Sequence, residues 1–447
     1  MGTVISLRVS DITIDWSKNS LGLDHGILFQ KEDHFVQPEY EDEIEGSALS
    51  QENKLMRTVL RRPLSSLTDR LDLLGFSLET VRMEYETFIK TELGSWLETA
   101  PESSKPFTFD ELVEFINRHN IRDLSNENIL NSKILVTESD FLDIFSENEK
   151  EEERNRDILN GLIKTPCFEM SQIEISSIRE VFIDSLMFLH PYSILRLLCN
   201  NPSNSNEYIE WDYGLIVDSG WVKIQEINTS AKREDTFLIA TEGTSDSAIL
   251  KKALKILKPY IADFFSFIDV ENGHPFPGTG GLYKFAEGLV KIDIQNRIIF
   301  MLDNDSEGVD AFQKIVKMKT PKNMKCMLLP DLCDFENFPT EGPNGTHLMN
   351  INKKAVAIEC FLDLDYKNSK SPFIRWTNFK KETSTYQGSL QDKEYYAKKF
   401  IKTPIEKLEI DNYDTRKLKL LLEHIITESN KISGEIRIEA IKRHMAN

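Results

Sequence analysis

The chain is short of what a zinc module, a membrane anchor or a broad nucleic-acid-binding surface requires. Its 447 residues hold five cysteines, Cys167, Cys199, Cys326, Cys333 and Cys360. They are scattered and odd in number. Only Cys326 and Cys333 lie near each other, and no nearby histidine completes a zinc pattern. Reduced thiols in a cytoplasmic protein are the expectation. No apolar run approaches about 18 residues, so no membrane span is expected. A basic region followed by an apolar core is missing from the N-terminus, so no secretory signal is expected either. Basic charge is in deficit: 54 Lys and Arg face 73 Asp and Glu, for a net charge of −19 and a pI near 5.0. That excludes a surface coated for non-specific nucleic-acid binding. A local basic groove and a metal can still engage a phosphate backbone, with a partner subunit or self-assembly supplying basic surface. There is no Walker A motif and no G-x-G-x-x-G, so no nucleotide site is assigned.

The length suggests two or three domains. With 40% hydrophobic and 28% charged residues, the composition is that of a globular protein. Thr3 to Trp16 alternates apolar and polar, which predicts a strand, with Gly26-Ile-Leu-Phe29 as its hairpin partner. Glu39 to Gly46 is an acid run without periodicity, a solvated loop. Leu64 to Leu97 has apolar residues at helical spacing, interrupted at Gly75. Phe109 to His119 predicts a short helix capped by Thr108. Glu149 to Arg156 is a charged helix or linker. Ile173 to Leu198 predicts a helix interrupted at Pro191, Asn200 to Asn206 a loop, and Trp211 to Ile227 a hairpin. The first 230 residues therefore form a mixed α+β, mostly helical domain.

The chemistry lies between Phe237 and Gly308. Thr236-Phe-Leu-Ile-Ala-Thr leads into Glu242-Gly243, with Asp246 four residues on. Arg297-Ile-Ile-Phe-Met-Leu leads into Asp303-Asn-Asp305-Ser-Glu-Gly308. Each is an apolar run ending abruptly in carboxylates and a glycine, the pattern of a buried parallel strand. Ligands of open α/β sheets sit outside the carboxyl ends of the strands. Glu242, Asp303 and Asp305 are thus predicted to meet at one sheet edge. Carboxylates gathered without basic neighbours repel one another, and a divalent cation removes that cost. Hard oxygen donors favour Mg2+ or Mn2+ over Zn2+. Strands at Thr236–Thr241, Phe264–Val270, Arg297–Leu302 and Met324–Leu329 alternate with helices at Asp246–Leu257, Leu282–Val290 and Val309–Val316. Ala355 to Leu362 is a further apolar segment carrying Glu359. The sequence therefore predicts an α/β fold with a parallel sheet flanked by helices.

These residues resemble the Toprim domain of topoisomerases, primases, OLD nucleases and small repair nucleases. The resemblance rests on Glu242-Gly243 after one strand and Asp303-x-Asp305-x-x-Gly308 after another, and spans roughly Glu234 to Asp365. The opening Gly2-Thr-Val-Ile-Ser-Leu-Arg-Val also resembles the domain that precedes Toprim or HEPN modules in bacterial defence-type proteins. The resemblance implies three parts: an N-terminal HEPN/Toprim-associated domain over 1–230, a Toprim domain over 234–375, and a helical C-terminal extension over 376–447. It further implies that Asp303 and Asp305 bind metal, and that Glu242 either binds the same metal or acts as general base. Asp246 is either a second-metal ligand or a first-turn acid favoured by the helix dipole. Glu359 is a weaker metal candidate, and Glu307 is expected to face solvent. Gly280 and Gly281, at the end of the glycine-rich loop 273–281, and Lys284, which follows it, are candidates for phosphate binding. An HEPN ribonuclease motif sets Arg four to six residues before His. Here Arg179 precedes His190 by eleven and Pro191 follows, so both are taken as structural.

Topoisomerase chemistry needs large tyrosine-bearing domains, and primases of this fold carry a zinc module. Neither fits this chain. The remaining expectation is a metal-dependent nuclease acting on DNA or RNA, plausible in antiviral defence. Two rivals stand beside it: a non-catalytic binding module, and a hydrolase or transferase of small phosphorylated molecules. Trp376 to Gln387 mixes aromatic and basic residues, suiting either base stacking or a brace on the sheet.

Overall fold

The computed structural model describes residues 2–37, 51–101, 105–124, 157–158, 160–166, 178–268, 278–343, 345–367, 371–380 and 385–446. The acid run 39–46, the charged stretch 149–156, Asp269, Glu271 and residues 273–277 of the glycine-rich loop lie outside them. The chain forms two units, Met1–Ser230 with Arg437–Asn447, and Ala231–Ile436. Among the described residues, no helix is long and apolar enough to cross a membrane.

The first unit is built on five strands: β1 Val4–Val9, β2 Ile12–Lys18, β3 His34–Val36, β4 Thr58–Pro63 and β5 Tyr208–Trp211. They form an antiparallel sheet in the order β2-β1-β5-β4-β3. Ile5, Leu7 and Val9 of β1 and Ile12 and Ile14 of β2 face the core, as the alternation predicts. The hairpin partner of β1 is β2, joined through Ser10 at φ 52°, and not Gly26-Ile-Leu-Phe29. That segment is a 3-10 turn, His25–Leu28, capped by the Asp24 side chain. Its carbonyls are satisfied by buried arginines in place of a strand ladder. Arg62 donates to Leu28 O at 2.8 Å, and Arg70 donates to Ile27 O at 2.6 Å.

The helical periodicity between Leu64 and Leu97 resolves into helices Thr68–Leu73 and Leu78–Glu92, with Gly75 at φ 93° between them. Thr108 and Glu111 form a capping box for helix Phe109–Arg118. Pro191 opens helix Pro191–Asn200 at its first turn. The expected hairpin over Trp211–Ile227 does not form. After β5 the chain enters the short helix Gly214–Asp218, and a Cβ on Gly214 would lie 2.3 Å from the Leu55 main-chain O. His190 and Arg179 are structural, as expected. The His190 ring packs 4.7 Å from Phe76, and its Nδ1 accepts from Tyr192 N; Arg179 pairs with Asp11 at 3.2 Å.

The second unit contains β6 Phe237–Ala240, β7 Phe265–Phe267, β8 Arg297–Leu302, β9 Asn304–Asp305, β10 Met324–Leu328, β11 Phe338–Gly342, β12 Gly345–Met349, β13 Ala355–Val356, β14 Ile374–Lys380 and β15 Thr385–Leu390. The sheet β10-β8-β6-β7 is parallel throughout. Helices Thr244–Leu257, Gly278–Lys291 and Ser306–Lys317 connect its strands. All six residues of β8 are buried, as a central strand covered on both faces requires. The second strand is shorter than predicted, since Phe264 ends a 3-10 turn, Pro259–Phe264. A second sheet, β12-β11-β14-β15, and the pair β13-β9 complete the strands. The C-terminal segment is helical: Lys393–Lys402, Ile405–Ile410 and Arg416–Ala446.

Candidate carboxylate site

Two neighbouring strands deliver the first two acids. β6 and β8 pair in register through Ala240 and Phe300, so Glu242 and Asp303 emerge side by side at their carboxyl ends. From β6 the chain passes to β7 on one side, and from β8 to β10 on the other. The gap between β6 and β8 is thus the switch point where open α/β sheets place ligands. The two acids meet directly, with Asp303 N donating to Glu242 Oε1 at 3.1 Å.

Asp246 joins them from the first turn of helix Thr244–Leu257. It is 9% exposed and accepts from Gly243 N at 3.0 Å, so it serves as a first-turn cap while its charge stays buried. Glu359, 3% exposed, arrives from the turn Ile358–Phe361 after β13. Desolvation, followed by the charges of Asp246, Glu242, Asp305 and Glu359, raises the Asp303 carboxyl well above the usual range. Desolvation and then Glu359 raise Asp246. Glu242 is raised by desolvation and by Asp305 and Asp246, against its bond from Asp303 N. These shifts have one origin: acids packed out of water and against one another.

Asp305 plays another part. Its Oδ1 caps helix Ser306–Lys317, accepting from Glu307 N at 2.9 Å and Gly308 N at 2.7 Å. Its Oδ2 accepts from Gln387 Nε2 at 2.5 Å. The intervening Asn304 bonds Asp331 and Lys353 N. Gly308 is required here, because a Cβ at that position would lie 2.0 Å from Asp303 O. Glu307 is exposed, as expected.

Sequence reasoning missed two contributors. Gln387, on β15, bonds Asp305 and also accepts from Ser306 N at 3.0 Å. Lys393 opens helix Lys393–Lys402, an unfavourable place for a cation in the field of the helix dipole. It remains an exposed residue. Desolvation works against its charge, yet Glu359, Asp303, Asp246 and Asp305 together hold its ammonium above the ordinary value. Its helix is tied to the Asp246 helix by Lys252 Nζ, which donates to Phe400 O at 2.7 Å, to Ile401 O at 3.2 Å and to Thr403 O. No spacing in the sequence links 393 to 303; only the approach of β15 to the sheet does.

Gly280 and Gly281 lie in the first turn of helix Gly278–Lys291, and Lys284 is exposed on it. This helix follows β7, so its N-terminus faces the same sheet edge as Glu242 and Asp303. Among the described residues, no hydrogen bond joins these three to the carboxylates.

The donor chemistry suits a hard divalent cation: buried and half-buried, mutually repelling carboxylates with the Lys393 ammonium in their field. Among the described residues, no three His, Cys, Asp or Glu side chains close on a common metal position. Binding therefore requires carboxylates to turn inward, and Asp305 would first have to release Gln387.

The family model described as HEPN/Toprim N-terminal domain 1 matches residues 1–235. No curated protein and no solved structure matches the chain.

Proposed function

Because that match spans more than half of the chain, the protein belongs to the HEPN/Toprim N-terminal domain 1 family, and we propose that its second unit is a Toprim-like, divalent-metal-dependent nuclease. The observation that carries this reading is the meeting of Glu242 with Asp303 at the β6/β8 switch point, with Asp246 and Glu359 buried beside them. A role in antiviral defence rests on the N-terminal resemblance alone.

Asp303, Asp246 and Glu359 would hold Mg2+ or Mn2+, with Asp305 joining on release of Gln387. When bound, the cation supplies charge neutralisation and Lewis acidity at the scissile phosphate. Glu242 is oriented through Oε1 by Asp303 N, and its other oxygen takes the proton of the attacking water. The Lys393 ammonium pairs with a non-bridging phosphate oxygen and balances charge as the phosphorane-like state develops. Asp305 and Gln387 keep the start of helix Ser306–Lys317 in place.

The test is incubation of the protein with supercoiled plasmid, linear DNA and total tRNA, each with Mg2+, Mn2+ or EDTA. An Asp303→Asn, Asp305→Asn double variant runs alongside. Asparagine keeps the cap on Glu307 N and Gly308 N but loses the acceptor for Gln387 Nε2, so the melting temperature of the double variant is measured beside its activity. Metal-dependent cleavage is expected, lost in the double variant and lowered about 100-fold in Lys393→Ala, the scale for removing one transition-state donor. Cleavage that survives EDTA or the double variant overturns the reading. So does activity confined to small phosphorylated molecules and indifferent to ionic strength.

A further inference from the structure

The hairpin β14–β15 carries a feature that carboxylate chemistry does not use. Phe379 and Tyr386 are cross-strand partners. Their rings meet edge to face, 5.2 Å apart, yet they are 53% and 57% exposed. Two large rings paired with each other and left in water are a standing apolar surface. Tyr386 belongs to β15, the strand that grips the site. Gln387, the next residue, bonds Asp305. The Tyr386 carbonyl accepts from Ser306 Oγ at 3.3 Å, and Thr385 Oγ1 lies 2.9 Å from that same hydroxyl. Tyr386 thus sits about one strand residue, roughly 3.3 Å along the chain, from Gln387, with its ring on the opposite face of the strand.

We propose that this aromatic pair is a stacking platform for unpaired bases, and that the substrate of the carboxylate site is single-stranded nucleic acid. The inference rests on the nuclease reading of that site and narrows it. Charge supports it. A chain at −19 is a poor match for the dense phosphates of a duplex. Stacking adds affinity without neutralising phosphates, and it is available only where base faces are free, since a duplex hides them. A strand stacked on Tyr386 would pass around the hairpin edge one residue from Gln387, which bonds Asp305.

The experiment measures binding of a labelled 12-nucleotide single strand, the same strand with abasic sites, and the matching duplex. The full chain is used in the Asp303→Asn background, so that nothing is cut. Single strands are expected to bind more tightly than the duplex. Phe379→Ala, Tyr386→Ala should weaken single-strand binding at least tenfold while leaving duplex binding and the melting temperature unchanged. Abasic sites should cost the parent that same factor and cost the double variant nothing further. Single-strand affinity retained within twofold in the double variant overturns the platform, as does equal or tighter duplex binding in the parent. The two readings fail separately. If the double variant loses binding but the wild-type chain never cuts with metal, the nuclease falls and the platform stands.

Discussion

Gly308 is where backbone geometry and site chemistry meet most closely. Its hydrogen faces Asp303 O, and a methyl group there would sit 2.0 Å from a main-chain oxygen that cannot swing aside. Gly308→Ala is therefore expected to lower stability by roughly 1–3 kcal/mol, the usual cost of overpacking, and to shift Asp303. Gly280 is its control. A Cβ there meets nothing within 4 Å, and the residue lies in a helix, so Gly280→Ala should be neutral or stabilising by up to about 1 kcal/mol. Urea unfolding of the two variants checks this, and equal losses would refute the close-contact argument. Cleavage lost in a stably folded Gly280→Ala would instead support the phosphate-binding role expected of that loop. At this scale the sequence was informative about Glu242, Asp303 and Asp246, because an apolar run that stops at an acid marks a strand end. It was silent about Gln387, which reaches Asp305 from 82 residues along the chain.

Among the elements, the pair of helices Thr244–Leu257 and Lys393–Lys402 sets the relation between Asp246 and Lys393. The second helix ends in carbonyls with no partner of their own in the helix, and Lys252 reaches three carbonyls there. Lys252→Met keeps the aliphatic stem and removes the donors. Its expected cost is about 1–2 kcal/mol of stability, reduced from the value for a buried charged bond because Lys252 is only partly buried. Nuclease activity should fall several-fold as the Lys393 helix loosens. Unchanged activity in a destabilised Lys252→Met chain would show that Lys393 does not depend on this tie. Helix periodicity and caps made most of these elements predictable, as Thr108 with Glu111 shows. The 3-10 turn His25–Leu28 was not predictable, because its apolar sequence suits a strand and the groups that satisfy its carbonyls, Arg62 and Arg70, lie far along the chain.

For the molecule as a whole, His190 in the first unit and the carboxylates in the second are expected to answer to pH in opposite senses. Burial first, and then the charge of Arg437, push the His190 imidazole down to about 4. In the unfolded chain it titrates near 6.5, so between these values the unfolded state binds the extra proton. The contribution of about 3 kcal/mol is fully present above pH 6.5 and is lost as pH falls toward 4. His190→Gln should flatten that acid limb of the first unit's stability curve. In the metal-free second unit, Asp303, Asp246 and Glu242 hold protons that the unfolded chain would release. Its stability should therefore decline as pH rises. Calorimetry in EDTA from pH 4 to 8 checks both signs, and two transitions that move in parallel with pH would contradict the assignment.

The sequence by itself determined the α/β class, the parallel strands of the second unit and the acids at their ends. Those properties are local: a continuous apolar run demands burial on both faces, and a run that ends in acid and glycine demands a turn at the sheet edge. The strand order, the insertion of β5 between β1 and β4, and the arrival of Gln387 and Lys393 at the carboxylates were decided only by tertiary structure. Periodicity says which face of an element is buried, not which distant element covers it. That choice rests on packing and hydrogen bonds between residues far apart in the chain.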